Sequence, residues 1–432
     1  MTIEATRVRF LPLALLASSL LAQGDASAAP ALDASVAIEH ATVYVPSGPP
    51  LKDATVVIAG GTVRAVGASV PVPANARHVD ARGKIVTAGL IDALVTAGVV
   101  EVGLEGPAND ADPSMGATVP SFRIRDGYDP RSSVVPISRA GGVTSVVLGP
   151  TQGLLSGEAA LVDLAGERVD QAVVRDAVAQ VAVMDGAMVQ AVAGARGEAW
   201  EKLRTALEDA RFYSTHKAAY DDNRTRRLVL PRPDLAALEP VIKGIEPLVV
   251  VANRASDIEL SLKLASDFKL KLVLAGAIES WLLASDLAAR KVPVLIDPWQ
   301  NLPTGFDSLR VRDDLAAVLS RAGVSVVLST FSQNQSRELT QRGAHAARYG
   351  MDHDAAIHAL TDAPAAAFGL RGYGRLEAGA VANVVVWSGD PLENATRVER
   401  VFVRGEEQSL ETRQTLLLRR YRTVPVGRAG TH

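Results

Sequence analysis

Seven short apolar runs divide the middle of the chain, at residues 85–94, 143–148, 159–164, 248–251, 271–274, 292–296 and 324–328. Stretches with helical periodicity lie between or beside them, including 200–213, 256–267, 279–290 and 313–322. A strand that is apolar along its whole length must be covered on both faces. A parallel sheet flanked by helices provides that cover. Over ~280 residues the alternation predicts a closed (β/α)8 barrel, with a doubly wound open sheet as the alternative. In a barrel, chemistry gathers at the carboxyl ends of the strands, so those positions are the ones to inspect.

The two ends of the chain read differently. Residues 36–45 (VAIEHATVYV) and 54–66 (ATVVIAGGTVRAV) are β-branched strands, with Gly60-Gly61 at a hairpin turn. Residues 382–388 (ANVVVWS) and 398–404 (VERVFVR) form a similar pair around Gly389-Asp390-Pro391. Neither pair buries a sheet by itself. Together they predict a small β-sandwich domain built from both ends, residues 29–86 and 371–410, around a barrel of residues 87–370. Residues 411–432 are expected to be a C-terminal helix and tail.

Residues 1–28 read as a signal peptide. Arg7 and Arg9 precede an apolar run from Phe10 to Ala22, and Ala26-Ser27-Ala28 supplies a small-residue cleavage pattern. A retained N-terminal anchor is the alternative. The expected location is outside the cytoplasm, in the periplasm, with no transmembrane segment in the mature chain. A net charge of −3 gives no reason to expect nucleic acid as a partner. The absence of cysteine excludes disulfides, thiolate metal sites and cysteine nucleophiles.

The stretch GKIVTAGLIDA leads into the first barrel strand, and GRLEAGAVANVVVWSGDPLENATRVERVFVRG follows the barrel. With VVIAGGTVRAVGASVPVPANARHVDAR before them and RYGMDHDAAIHALTDAPAAAFGL after strand eight, the ordered set resembles the amidohydrolase superfamily, most nearly its imidazolonepropionase-like branch. The resemblance covers nearly the whole mature chain. It implies hydrolysis assisted by one or two divalent ions, often zinc, which activate a water and polarise the scissile group. It also implies where the ligands belong.

At those places the side chains differ. The His-x-His pair of strand one falls on Leu94 and Thr96. The His after strand five falls on Val251, or on Asn253 if the alignment slips by two, and the His after strand six falls on Gly276. The Asp ending strand eight falls on Phe331. No lysine suits a carbamylated bridge in strand four, since Lys217 and Lys243 lie in helical or loop-like sequence. Of the seven histidines, none is expected at a strand's carboxyl end. His353 and His358, five apart, do not share a helical face as i,i+4 ligands do. The expectation is therefore no metal and no other cofactor, with a divalent metal such as zinc as the alternative.

The remaining polar residues at the strand ends are weak candidates. Glu101, Glu279 and Asp297 could supply catalytic carboxylates, although carboxylates near helix starts commonly serve as caps. Asn253, Arg254, Trp299 and Gln300 are candidate ligand contacts. Arg254 is equally suited to an ion pair with Asp257, and Trp299 to a packing role. Gln152 and Glu158 lie beyond strand two. Two readings follow. The first is an exported, non-catalytic homologue that binds a small molecule or peptide, or partners an active amidohydrolase paralogue. The second is a hydrolase acting on C–N bonds, of a non-peptide amide or a peptide-like substrate, through a non-standard site.

Overall fold

The computed structural model describes residues 35–113 and 118–422. The signal-peptide reading and the tail beyond Arg422 lie outside them. The described residues form one compact unit containing two eight-stranded sheets. No helix among the described residues is long and apolar enough to cross a membrane.

The first sheet joins the chain's two ends. It contains β1 (Val36–Val43), β2 (Leu51–Ala59), β3 (Thr62–Gly67), β4 (Arg77–Asp80) and β5 (Ile85–Ala88). The barrel strands β6 (Leu90–Val95), β7 (Val143–Leu148), β8 (Leu155–Asp163), β9 (Val173–Val183), β10 (Leu248–Ala252), β11 (Leu272–Gly276), β12 (Val294–Ile296) and β13 (Val326–Leu328) follow. The chain then returns to the first sheet as β14 (Val384–Trp387), β15 (Val398–Val403) and β16 (Glu406–Gln408). The antiparallel pairing of β14 on β5 welds the two ends together. The first half of β1 pairs with β4 and its last residues with β5, so one edge of an irregular strand serves two neighbours while β2 takes the other. The sheet encloses its own apolar core, from Ile38, Val56 and Ile58 to Val384 and Phe402.

In the barrel sheet, side chains alternate between two apolar clusters. Ile91, Ala93, Val147, Leu161, Val181, Val249, Val273, Leu295 and Val327 meet inside. Leu90, Val146, Leu148, Val250, Leu274, Val294 and Val326 face the helices. Burial on both faces explains the near-continuous apolar runs.

Three details depart from the sequence expectation. β9 was not among the seven runs. β8 is antiparallel to both β7 and β9, whereas the other barrel pairs are parallel. The sheet is also not closed by pairing between β6 and β13. Residues 359–360 bridge that seam: Ile91 N–H donates to the Leu360 carbonyl at 2.9 Å, and Leu328 N–H to that of Ala359 at 3.0 Å.

Candidate functional site

The carboxyl ends of β6, β10, β11 and β13 bring the expected ligand positions to one mouth. Leu94 is left unpaired between Ala93, opposite Val147, and Val95, opposite Leu148. It has φ 60°, the left-handed backbone of a strand-end bulge. The extra residue breaks the alternation, so Ala93 and Leu94 both belong to the interior cluster while Val95 faces the helices. Gly276 and Phe331 also have positive φ, at 73° and 46°. A left-handed conformation at Leu94 and Phe331 costs energy that surrounding structure must offset.

That surrounding structure is apolar. Leu94 is 3% exposed and Met188 is 6% exposed, and Val251 and Phe331 pack against the same cluster. Leu94 sits against Gly149, where no side chain would fit beside it. The Gly153 N–H donates to Met188 Sδ at 3.1 Å, which pins that side chain over the interior. Burying Leu94 contributes about 2 kcal/mol of transfer free energy, which an imidazole there would forfeit. A divalent ion needs neutral imidazoles and carboxylates converging on one point. Leu94, Val251, Gly276 and Phe331 supply none, so these residues do not fit the metal that the family resemblance implies. Among the described residues no group of three or more His, Asp or Glu is placed to share an ion.

The candidate carboxylates are each engaged elsewhere. Glu101 accepts hydrogen bonds from Ser132 and Ser133, ahead of the helix Val134–Ala140. Partial burial pushes its carboxyl up, but the bonds from Ser132 and Ser133 hold it below its ordinary pKa. Glu279 accepts from the Ala255 N–H at 3.0 Å, satisfying the first turn of the helix Ala255–Phe268. Asp297 accepts from the Trp299 N–H at 2.9 Å and pairs with the fully buried Arg342 at 3.3 Å. Burial raises its pKa, and Arg342 opposes the rise. Each of the three carboxylates is thus tied into a local structure of its own.

Asn253 lies over Gly276: a Cβ at residue 276 would be 2.5 Å from its Oδ1, which is buried and lacks a hydrogen-bond partner. Burial raises the Asp257 pKa, and Arg254 lies near enough to oppose the rise but makes no direct ion pair with that carboxylate. Arg196 takes Asp257 instead and also holds Asp307, and Trp200 Nε1 donates to Asp257 at 3.3 Å. Trp299 stacks under the Arg342 guanidinium at 3.6 Å from the ring centre, a cation–π contact that anchors the loop. Gln300 is exposed and closes a turn to the Asp297 carbonyl. Gln152 leans on Asp112. Glu158 lies within β8, where the strand's reversed direction separates it from the strand ends. Lys217 and Lys243 both pair with Glu239, at 2.6 and 2.8 Å.

Sequence reasoning missed Asp92. It is fully buried and accepts from the Thr330 N–H at 3.0 Å, Thr330 Oγ1 at 2.6 Å and Ser329 Oγ at 3.1 Å. Burial raises its pKa, and these donors oppose the rise. The carboxylate joins β6 to the end of β13 across the unpaired seam. The signal was a charged residue inside an otherwise apolar strand, which demands buried partners.

The sequence profile of the amidohydrolase family matches residues 297–407, from the end of β12 through the closing strands. The amidohydrolase tasK of Hapsidospora irregularis is 24% identical over 389 residues, covering 82% of this chain and 39% of the tasK length. The chain thus spans well under half of that relative. Among solved structures, an amidohydrolase from Thermotoga maritima is similar with TM-score 0.79 and 25% identity, over 87% of this chain and 99% of the other. An adenosine deaminase from Xanthomonas campestris with bound zinc shares the fold at TM-score 0.51 and 16% identity, over 90% and 97% of the two chains. A barrel entered through GLID, a sheet joined from both chain ends and these likenesses agree: the chain has the amidohydrolase fold and is similar to members of that superfamily.

Proposed function

We propose that this is an exported, non-catalytic member of the superfamily, most akin to its imidazolonepropionase-like branch, which acts by binding another molecule rather than by hydrolysis. The observation that carries the reading is the apolar plug, in which Leu94, Val251 and Phe331 occupy ligand positions as part of the interior core. A water nucleophile there would have neither an ion to acidify it nor a free carboxylate to take its proton. The reading of a C–N hydrolase with a non-standard site has less support, because Glu101, Glu279 and Asp297 already serve a serine pair, a helix start and Arg342. The plug also disfavours a ligand seated deep in the mouth, which leaves the outer surfaces as the place for binding.

The test is elemental analysis of protein purified without chelators, with assays on cyclic amides, aminoacyl amides and dipeptides in the presence of zinc or manganese. Substoichiometric metal and no hydrolysis above buffer is the expected result. Stoichiometric metal together with metal-dependent turnover, lost when the ion is stripped and regained on its return, overturns the proposal.

A further inference from the structure

The outer rim of the mouth is unusually apolar. Val102 and Leu104 lie in the loop after β6, Leu282 follows β11, and Leu302, Phe306 and Leu309 lie in the loop after β12. Leu104 is fully exposed, Phe306 is 91% exposed and Leu302 71%. The loops are held against the barrel and one another. Trp281 Nε1 donates to the Arg310 carbonyl at 3.3 Å, Arg312 lies 4.9 Å over the Trp281 ring, and Gly103 abuts Gln333 beyond β13. Exposed apolar side chains gathered at one end of a fold mark interaction sites. The β6 loop of that rim is acidic: residues 101–112 carry Glu101, Glu105, Asp110 and Asp112 and no Lys or Arg, while Arg310 and Arg312 lie in the loop after β12.

A matching surface exists on this chain. The helix Arg413–Tyr421 starts with a reciprocal Thr412–Thr415 capping box, yet buries none of its residues. At nine residues it is shorter than the ~12–15 that hold helical form unaided in water, so a stable helix requires a partner surface. Leu417, Leu418 and Tyr421, spaced i, i+1 and i+4, share an exposed face. Arg413, Arg419, Arg420 and Arg422 carry its charge; Arg419 pairs with Glu411 just ahead of the cap, and no acidic residue lies between 412 and 422. Arg413 lies close enough to lower the Glu101 pKa, which places the start of the helix beside the mouth's own rim.

We propose that the helix Arg413–Tyr421 of one copy docks on the acidic, apolar mouth rim of a second copy, giving a two-fold pair in which each chain covers the other's mouth. Two-fold pairs use one patch twice, and a helix at the edge of the rim is positioned for that reciprocity. Opposite charge complements the apolar match and sets the register. The inference stands apart from catalysis, because it rests on surfaces and not on the ligand positions.

Sedimentation velocity of the purified full chain across a range of concentrations tests it. A dimer is expected, and Phe306→Asp and Leu418→Asp should each weaken it at least about tenfold, as loss of a central apolar contact does. Circular dichroism and thermal melting establish that both variants fold. Combining Arg419→Glu and Arg420→Glu should also weaken the dimer, and adding Glu105→Arg and Asp110→Arg to that chain should restore it. A monomeric wild type, or a dimer indifferent to both Asp substitutions, overturns the proposal. So does a monomer that co-sediments with phosphatidylglycerol vesicles through the helix, which would make its partner a membrane surface.

Discussion

Leu94 combines a left-handed backbone with a side chain that is 3% exposed. The bulge that turns it inward is a device for aiming a side chain at the mouth, and here it aims a methyl-rich group into a core. Leu94→His should therefore cost about 2–4 kcal/mol, through lost packing and an unsatisfied imidazole. Urea unfolding measures that loss, and added zinc should not recover it, because Thr96, Val251, Gly276 and Phe331 supply no partner imidazole or carboxylate. Zinc-dependent stabilisation of the variant would count against the plug. Glu158 gives a second residue-scale expectation. Burial within β8 pushes its pKa up to about 7, with Glu246 assisting and Arg123 opposing. Its folded pKa exceeds the unfolded value, so the folded state holds the proton longer and stability falls as pH rises from about 4.5 to 7. Glu158→Gln should match the wild type near pH 4.5 and exceed its melting temperature at pH 8. Equal melting temperatures at both pH values would contradict the burial cost.

At the scale of elements, the apolar runs revealed seven of the eight barrel strands but not their directions. β8 was legible as a strand and not as antiparallel, because burial on both faces looks the same either way. The connections held the missing signal. Only 149–154 joins β7 to β8 and only 164–172 joins β8 to β9, shorter than the dozen or more residues a parallel crossover needs. β9 escaped notice because its first residues, Val174, Arg175 and Asp176, are exposed, and continuous burial begins only at Val178. The ligand positions were readable because the strand-end motifs fix the frame. Asp92, Arg196 and Arg342 were not, since their partners lie far along the chain. The reversed strand also has its own constraint. Gly157 sits beside a register shift with φ +128°, and a Cβ there would be 2.5 Å from the Phe122 carbonyl oxygen. That oxygen already accepts from the Glu158 N–H at 2.8 Å, so the backbone has little freedom to move away. Gly157→Ala should destabilise the protein by about 2–4 kcal/mol. A melting temperature within a degree of the wild type would show that β8 tolerates a different path.

For the molecule as a whole, the question is how a sheet made from both chain ends is tied to the barrel it encloses in sequence. Asp163, at the carboxyl end of the reversed β8, lies at the amino end of its neighbour β7 and is fully buried. It accepts from Ser145 Oγ on β7 at 2.7 Å, from the Tyr373 hydroxyl at 3.1 Å and from Asn383 Nδ2 at 3.4 Å, and lies 3.3 Å from Arg404 Nε. Asn383 extends the junction, because its carbonyl accepts from the Gly89 N–H and its Oδ1 from the Arg404 N–H, both at 2.8 Å. One carboxylate thus gathers groups from β7, from the segment after the barrel and from the returning strands. Antiparallel β8 makes this possible, since a parallel strand would carry its last residue to the mouth. Removing the carboxylate leaves the buried Ser145 and Tyr373 hydroxyls without their acceptor and Arg404 without its counter-charge, while Asn383 Nδ2 keeps its bond to Ser145 Oγ. Asp163→Ala should cost about 2–4 kcal/mol, tempered by the partial exposure of Arg404. Because the junction is shared, sheet and barrel should still unfold together, as one calorimetric peak moved to lower temperature. Two resolved peaks in the variant would show that the sheet and barrel are stable separately and that Asp163 couples them without being needed by either.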